Sequence, residues 1–148
     1  MKATVLTIGT EILFGSIVNT NSVYISQQLQ ALGIDVMYHM SVGDNPGRLK
    51  DMLGEIYKDC DLIITSGGLG PTQDDLTKET IADYFGVENL ERKDQMDILL
   101  KRFAARKRPI TENNLKQAYF PVGSEVLPNP NGTAPGFLLE KDGKVIVS

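Results

Sequence analysis

A single cysteine, Cys60, stands in 148 residues, so no internal disulfide can form. Tryptophan is absent, aromatic residues make up 7%, and the one histidine, His39, falls inside a strand pattern, a poor place for a catalytic base. Positive charge is short as well: 15 Lys and Arg against 19 Asp and Glu give a net charge of -4, which offers no overall field to attract nucleic acid or anionic lipid. No apolar run is long enough to span a bilayer, and membrane partners are excluded on that ground. What is present is a chain of one-domain length with 41% hydrophobic and 23% charged residues, which excludes a disordered polymer. Met1 to Val5 leads into a strand pattern rather than a signal peptide. The expectation is one domain over residues 1–148, in the cytoplasm.

The hydrophobic pattern alternates between strand and helix. Val5 to Ile8 is a short apolar run stopped by Gly9, and Ile25, Leu29 and Leu32 then share a helical face ahead of Gly33. Ile34 to Ser41 is β-rich, and after Gly43 to Gly47 the residues Leu49, Met52, Leu53, Ile56 and Tyr57 recur at helical spacing. Asp61 to Ser66 reads as a third strand, followed by Gly67 to Asp75 and a helix carrying Ile81, Tyr84 and Phe85. Three consecutive strand–helix units predict an α/β fold with a parallel sheet and right-handed crossovers. Met96 to Phe103 predicts a further helix and Glu112 to Tyr119 a short one. Phe137 to Glu140 and Lys144 to Val147 predict a hairpin across Lys141-Asp142-Gly143. The sequence stops on an apolar strand, and the expectation is a fragment lacking the last part of its domain.

Ligands of open α/β sheets sit beyond the carboxyl ends of the strands. Those loops carry Gly9, Thr10 and Glu11; Asp44 and Asn45; and Gly67 to Asp75. Gly67, Gly68 and Gly70 suit a close backbone approach to a phosphate, with the start of the next helix aimed at the loop. The run is neither a P-loop nor a dinucleotide fingerprint, because no Gly-Lys-Ser/Thr follows and Gln73 stands where the last glycine would. Four acids, Glu11, Asp44, Asp74 and Asp75, come from the same strand ends. Two like charges about 4 Å apart cost roughly 4 kcal/mol at an effective dielectric of 20, so an anion there calls for a cation. Mg²⁺ or a similar divalent ion meets that need; capping of a helix by one of the two aspartates is the plainer reading.

The stretches Ile8-Gly9-Thr10-Glu11-Ile12-Leu13, Val18-Asn19-Thr20-Asn21, Val42-Gly43-Asp44-Asn45, Gly67-Gly68-Leu69-Gly70-Pro71-Thr72, Asp74 to Thr80, Lys116-Gln117-Ala118 and Gly132 to Phe137 resemble the N-terminal domain of the CinA, or competence/damage-inducible, family. That resemblance implies the three-layer α/β/α sandwich of the MoaB and MogA molybdopterin-binding proteins. It also implies a metal-dependent ADP-ribose pyrophosphatase acting on a small nucleotide substrate. In that reading Glu11, Asp44, Asp74 and Asp75 hold the metal, with Asp44 and Asp75 catalytic, and Gly9, Thr10, Gly67, Gly68, Gly70, Thr72 and Thr77 bind phosphate or nucleotide. A homo-oligomer is expected. Two departures bear on it: Asp74 stands where the molybdopterin-handling relatives carry arginine, and the family's following Leu-Pro-Gly-Pro-Pro segment is absent. The alternatives are a molybdopterin-binding or adenylyl-transferring protein and a non-catalytic competence-associated module.

Overall fold

The computed structural model describes residues 1–148. Strand β1 (Lys2–Ile8) is followed by a single helical turn, α1 (Thr10–Leu13), and by α2 (Thr20–Ala31). Then come β2 (Asp35–Val42), α3 (Pro46–Asp59), β3 (Leu62–Ser66), α4 (Thr77–Tyr84), β4 (Asn89–Glu91) and α5 (Lys93–Ala105). The chain ends with α6 (Glu112–Leu115), a 3₁₀ turn (Lys116–Ala118), β5 (Tyr119–Pro121), β6 (Glu125–Leu127), β7 (Gly136–Lys141) and β8 (Lys144–Val147). Asn19 and Asn45 start α2 and α3, their side chains accepting from the amides of Ser22 and Arg48.

Six strands form one sheet in the order β2-β1-β3-β8-β7-β6, while β4 and β5 pair apart from it. β1 runs parallel to both β2 and β3, and β3 runs parallel to β8. The hairpin β7–β8 turns on Asp142 and Gly143, both at positive φ as a two-residue primed turn demands, and β6 adds antiparallel to β7.

Strand alternation sorts the core into two layers. Ala3 and Val5 of β1 and Leu62 of β3 face α2, where Leu29 is buried with them and Val145 and Val147 pack alongside. Leu6 and Ile8 of β1, Ile63 of β3 and Ile146 of β8 face the other way, against Leu49, Leu53 and Ile56 of α3 and Ile81 of α4. The result is the expected α/β/α sandwich with a mostly parallel sheet. The three-residue strands β4, β5 and β6 and the turn α1 are additions to the predicted pattern, too short to show a period. Cys60 is buried beside Thr4, its Sγ 2.7 Å from the Thr4 hydroxyl, as fits an inert thiol. His39 lies exposed on the edge strand β2, its ring 2.6 Å from the Ser26 hydroxyl of α2.

Candidate functional site

Parallel order brings the loops after β1, β2 and β3 to one edge of the sheet, with β1 in the middle. Gly67 and Gly68 leave β3 at φ 112° and 67°. A Cβ on Gly67 would stand 1.9 Å from the Ile8 carbonyl oxygen, and one on Gly68 2.0 Å from the Thr77 hydroxyl. Both glycines are therefore packed against their neighbours. Thr77 locks the loop from the other side: its hydroxyl donates to the Gly67 carbonyl at 2.9 Å and its amide to the Gly68 carbonyl at 3.1 Å. The amides of Gly68, Leu69 and Gly70 donate to no group of the protein and stay available.

Beside this loop lies a cleft of about 240 Å³ whose lining includes Thr7, Glu11, Asn19, Asn21, Ser66 and Gly67. Asn19 donates to the Thr7 hydroxyl at 2.7 Å, and Asn21 donates to the Ser66 hydroxyl at 3.0 Å. Asn21 and Ser66 were not among the residues chosen from spacing, since 45 positions separate them; the Asn19-Thr20-Asn21 stretch at the head of α2 was the available signal.

The four acids do not converge. One Asp44 carboxylate oxygen accepts from both the amide and the hydroxyl of Thr10, each at 2.9 Å, and the Asp44 amide donates back to that hydroxyl at 3.1 Å. This staples the first loop to the second. One Asp75 oxygen accepts from the Thr72 amide at 2.9 Å and from the Thr72 hydroxyl, closing a turn in which the Asp75 amide donates to the Thr72 carbonyl. Glu11 folds over Gly9, its carboxylate 2.6 Å from where a Cβ would stand, and Asp74 is exposed. No group of three or more His, Cys, Asp or Glu side chains is arranged to hold a metal ion. These positions make a direct prediction. Asp75→Ala is expected to cost ~1–2 kcal/mol and Asp75→Asn less, because the amide oxygen can still accept, while Asp74→Asn stays within ~0.5 kcal/mol in urea unfolding.

A row of lysines supports the loop from α4 and the 3₁₀ turn. Lys116 donates to the carbonyls of Thr72 and Asp75, the latter at 2.6 Å. Lys78, only 3% exposed, donates to the carbonyls of Lys116 and Gln117 at 3.1 and 3.3 Å and lies 4.4 Å from the centre of the Phe120 ring. Burial lowers its pKa to about 8, with Glu79 opposing and Lys116 reinforcing that shift. Of the basic run ending α5, Arg102 turns inward and donates to the carbonyls of Gly132 and Asn129.

A glycine-rich loop at the carboxyl edge of a mostly parallel sheet, between β3 and α4, marks an open α/β domain with its loops where such folds bind ligands. Residues 4–148 match the family described as "Probable molybdopterin binding domain", and the chain belongs to that family. It is 51% identical over 147 residues to a competence-damage inducible protein of Caldanaerobacter subterraneus subsp. tengcongensis, and 50% identical to one of Clostridium botulinum strain Loch Maree. Both matches cover 99% of this chain, which spans 36% of the length of those relatives. The structure of CinA, a protein of unknown function from Thermoplasma acidophilum, superposes with a TM-score of 0.92 at 33% identity, covering 99% of this chain and 85% of that one. MoaB of Thermus thermophilus, a molybdopterin biosynthesis enzyme, shares the fold at a TM-score of 0.59 and 20% identity, over 99% of this chain and 78% of that one. The chain is thus an N-terminal CinA-like domain with the MoaB/MogA fold.

These findings correct the expectation of a metal-dependent ADP-ribose pyrophosphatase. The matching family is described as "Probable molybdopterin binding domain" and the neighbouring folds include molybdopterin-biosynthesis proteins, while the carboxylates of Asp44 and Asp75, cast as catalytic acids, accept from Thr10 and Thr72. No helix has the length and apolarity to cross a membrane.

Proposed function

We propose that this domain binds a phosphorylated pterin of the molybdopterin type at the carboxyl edge of β1 and β3. The observation that carries the reading is the set of unpaired amides from Gly68 to Gly70 beside the cleft lined by Asn19, Asn21 and Ser66. Successive free N–H groups make an anion-holding concavity, and hydroxyl and amide side chains next to it suit a polar heterocycle. Gly9, Thr10, Thr72 and Thr77 shape this edge, Thr10 and Thr77 by holding the loops and Thr72 by closing the turn over Asp75. The family to which the chain belongs supports the ligand class. A cytoplasmic setting belongs to the same reading, in keeping with the buried free thiol of Cys60. So does self-association, for which Phe14, 79% exposed, and Val18, 80% exposed at the cleft, supply apolar surface.

Titration of a phosphorylated pterin, followed by its fluorescence, tests the reading. Saturable binding displaced by inorganic pyrophosphate is expected. Asn21→Asp keeps the side chain's shape and adds a negative charge at the cleft, so affinity should fall about tenfold or more by repulsion of the phosphate. Absence of binding, or equal affinity in the variant, would overturn it.

A further inference from the structure

Among the residues that line the cleft of about 240 Å³ at the carboxyl edge of β1, Glu11 is the one that carries charge. The cleft's neutral polar groups are turned toward one another: Asn19 donates to the Thr7 hydroxyl and Asn21 to the Ser66 hydroxyl. The Glu11 carboxylate is left without a cation, the ion pairs of the chain being Lys50–Asp83, Lys58–Glu55 and Arg92–Asp94. Its place is set by a residue that has no side chain. The carboxylate folds back over Gly9, where a Cβ would stand 2.6 Å from one of its oxygens and 2.9 Å from the other. Gly9 has φ 162° and ψ 126°, extended backbone that any residue adopts, so no turn calls for glycine here. What the missing side chain provides is room for the carboxylate.

From these observations we infer that Glu11, seated over Gly9, selects a ligand whose ring presents two adjacent donors, the ring N–H and the exocyclic amino group of a 2-amino-4-oxopyrimidine edge. An ionised carboxylate only accepts and offers two oxygens side by side, so a pair of neighbouring N–H groups satisfies both at once. A ring that lacks the amino group leaves one oxygen against a C–H, and a phosphate in the same place is repelled. The sheet edge therefore tells the two ends of a ligand apart. The free amides from Gly68 to Gly70 take an anion, and the carboxylate in the cleft takes the amino edge. Ile12, Ile17 and Val18 supply apolar walls against which a flat ring lies.

Two sources carry this edge: the phosphorylated pterin proposed above, in which case the assignment rests on that reading, or a guanine nucleotide. The probes are therefore a phosphorylated pterin, GMP and IMP, each titrated calorimetrically into the 148-residue chain. GMP and IMP differ only in the 2-amino group, and GMP is expected to bind at least tenfold tighter. Preference between the pterin and GMP names the source. Glu11→Gln keeps the size of the side chain but turns one acceptor into a donor. It should weaken the pterin and GMP at least tenfold and erase the preference for GMP over IMP, without lowering affinity for inorganic pyrophosphate. Gly9→Ala keeps the charge and displaces it. That variant should lose the same preference yet melt close to the wild type, because only the free end of the Glu11 side chain has to move. Equal binding of GMP and IMP to the wild type would overturn the inference, as would a preference retained in either variant. So would a loss of pyrophosphate binding in Glu11→Gln that matches the loss of GMP, which marks a purely structural role. Pterin bound equally by wild type and Glu11→Gln would overturn it while leaving the glycine-rich loop as the phosphate site. Failure of the pterin, with GMP preferred and that preference lost in Glu11→Gln, would instead overturn the pterin reading and support Glu11.

Discussion

Gly67→Ala is expected to destabilise the domain by ~3–5 kcal/mol, a large share of the ~5–15 kcal/mol that holds a domain of this size together. Two effects add. The residue sits at φ 112°, a conformation that costs a residue with a side chain of order 1–3 kcal/mol. Its new methyl would also stand 1.9 Å from the Ile8 carbonyl oxygen, a backbone atom of the central strand that cannot rotate away. β1 and β3 would have to separate at the point where Thr7 pairs with Ser66, opening the cleft and the loop together. Gly33→Ala is the control. It shares a positive φ, 72°, but nothing lies within 4 Å of its added Cβ, so ~1 kcal/mol is expected. Denaturant unfolding of both variants checks the comparison, and equal losses would show that φ alone, not the contact with β1, makes Gly67 necessary.

The strand–helix units were legible because their faces are long enough to repeat. Leu49, Leu53 and Ile56 show helical spacing, and all three are buried in α3. The alternation of Ala3 and Val5 against Leu6 and Ile8 is the two-sided burial of a central strand. β4, β5 and β6 were not legible, since three residues carry no period and their partners lie elsewhere in the chain. At the site the same distinction holds. The glycine-rich loop is local and could be read directly. The bond from Thr72 to Asp75 is also local, a Thr-x-x-Asp turn, but the capping expected of Asp74 or Asp75 is not what it does, since the cap position of α4 is Leu76, with no side-chain cap bond. What the acid at Asp44 does was not readable, because its partner Thr10 lies 34 positions away. Where the four carboxylates point was equally unreadable, because composition holds no directions.

Lys78 ties the loop's support to pH. Its folded pKa of about 8 lies below the ordinary 10.5, because burial disfavours the charged amine. Between those values the folded chain has released this proton and the unfolded chain still binds it, so the unfolded state holds more protons and the contribution of this residue to stability rises with pH. At ~1.4 kcal/mol per unit the rise is roughly 3 kcal/mol across the window, nearly complete by about pH 10.5. Lys78→Met has no such proton. Near pH 7 the variant is expected within ~2 kcal/mol of the wild type, since relief of the buried charge opposes the loss of bonds to the carbonyls of Lys116 and Gln117. By about pH 10 the wild type should gain ~2–3 kcal/mol on it. Urea unfolding of both proteins across that range isolates the residue, because every other titrating group is common to the two. A constant difference would mean that the two carbonyls and the Phe120 ring keep the amine protonated as well as water does, and that the support of Lys116 and Gln117 is insensitive to pH. A difference that grows would show that burial holds the Lys78 amine below its ordinary pKa while it supports the carbonyls of Lys116 and Gln117.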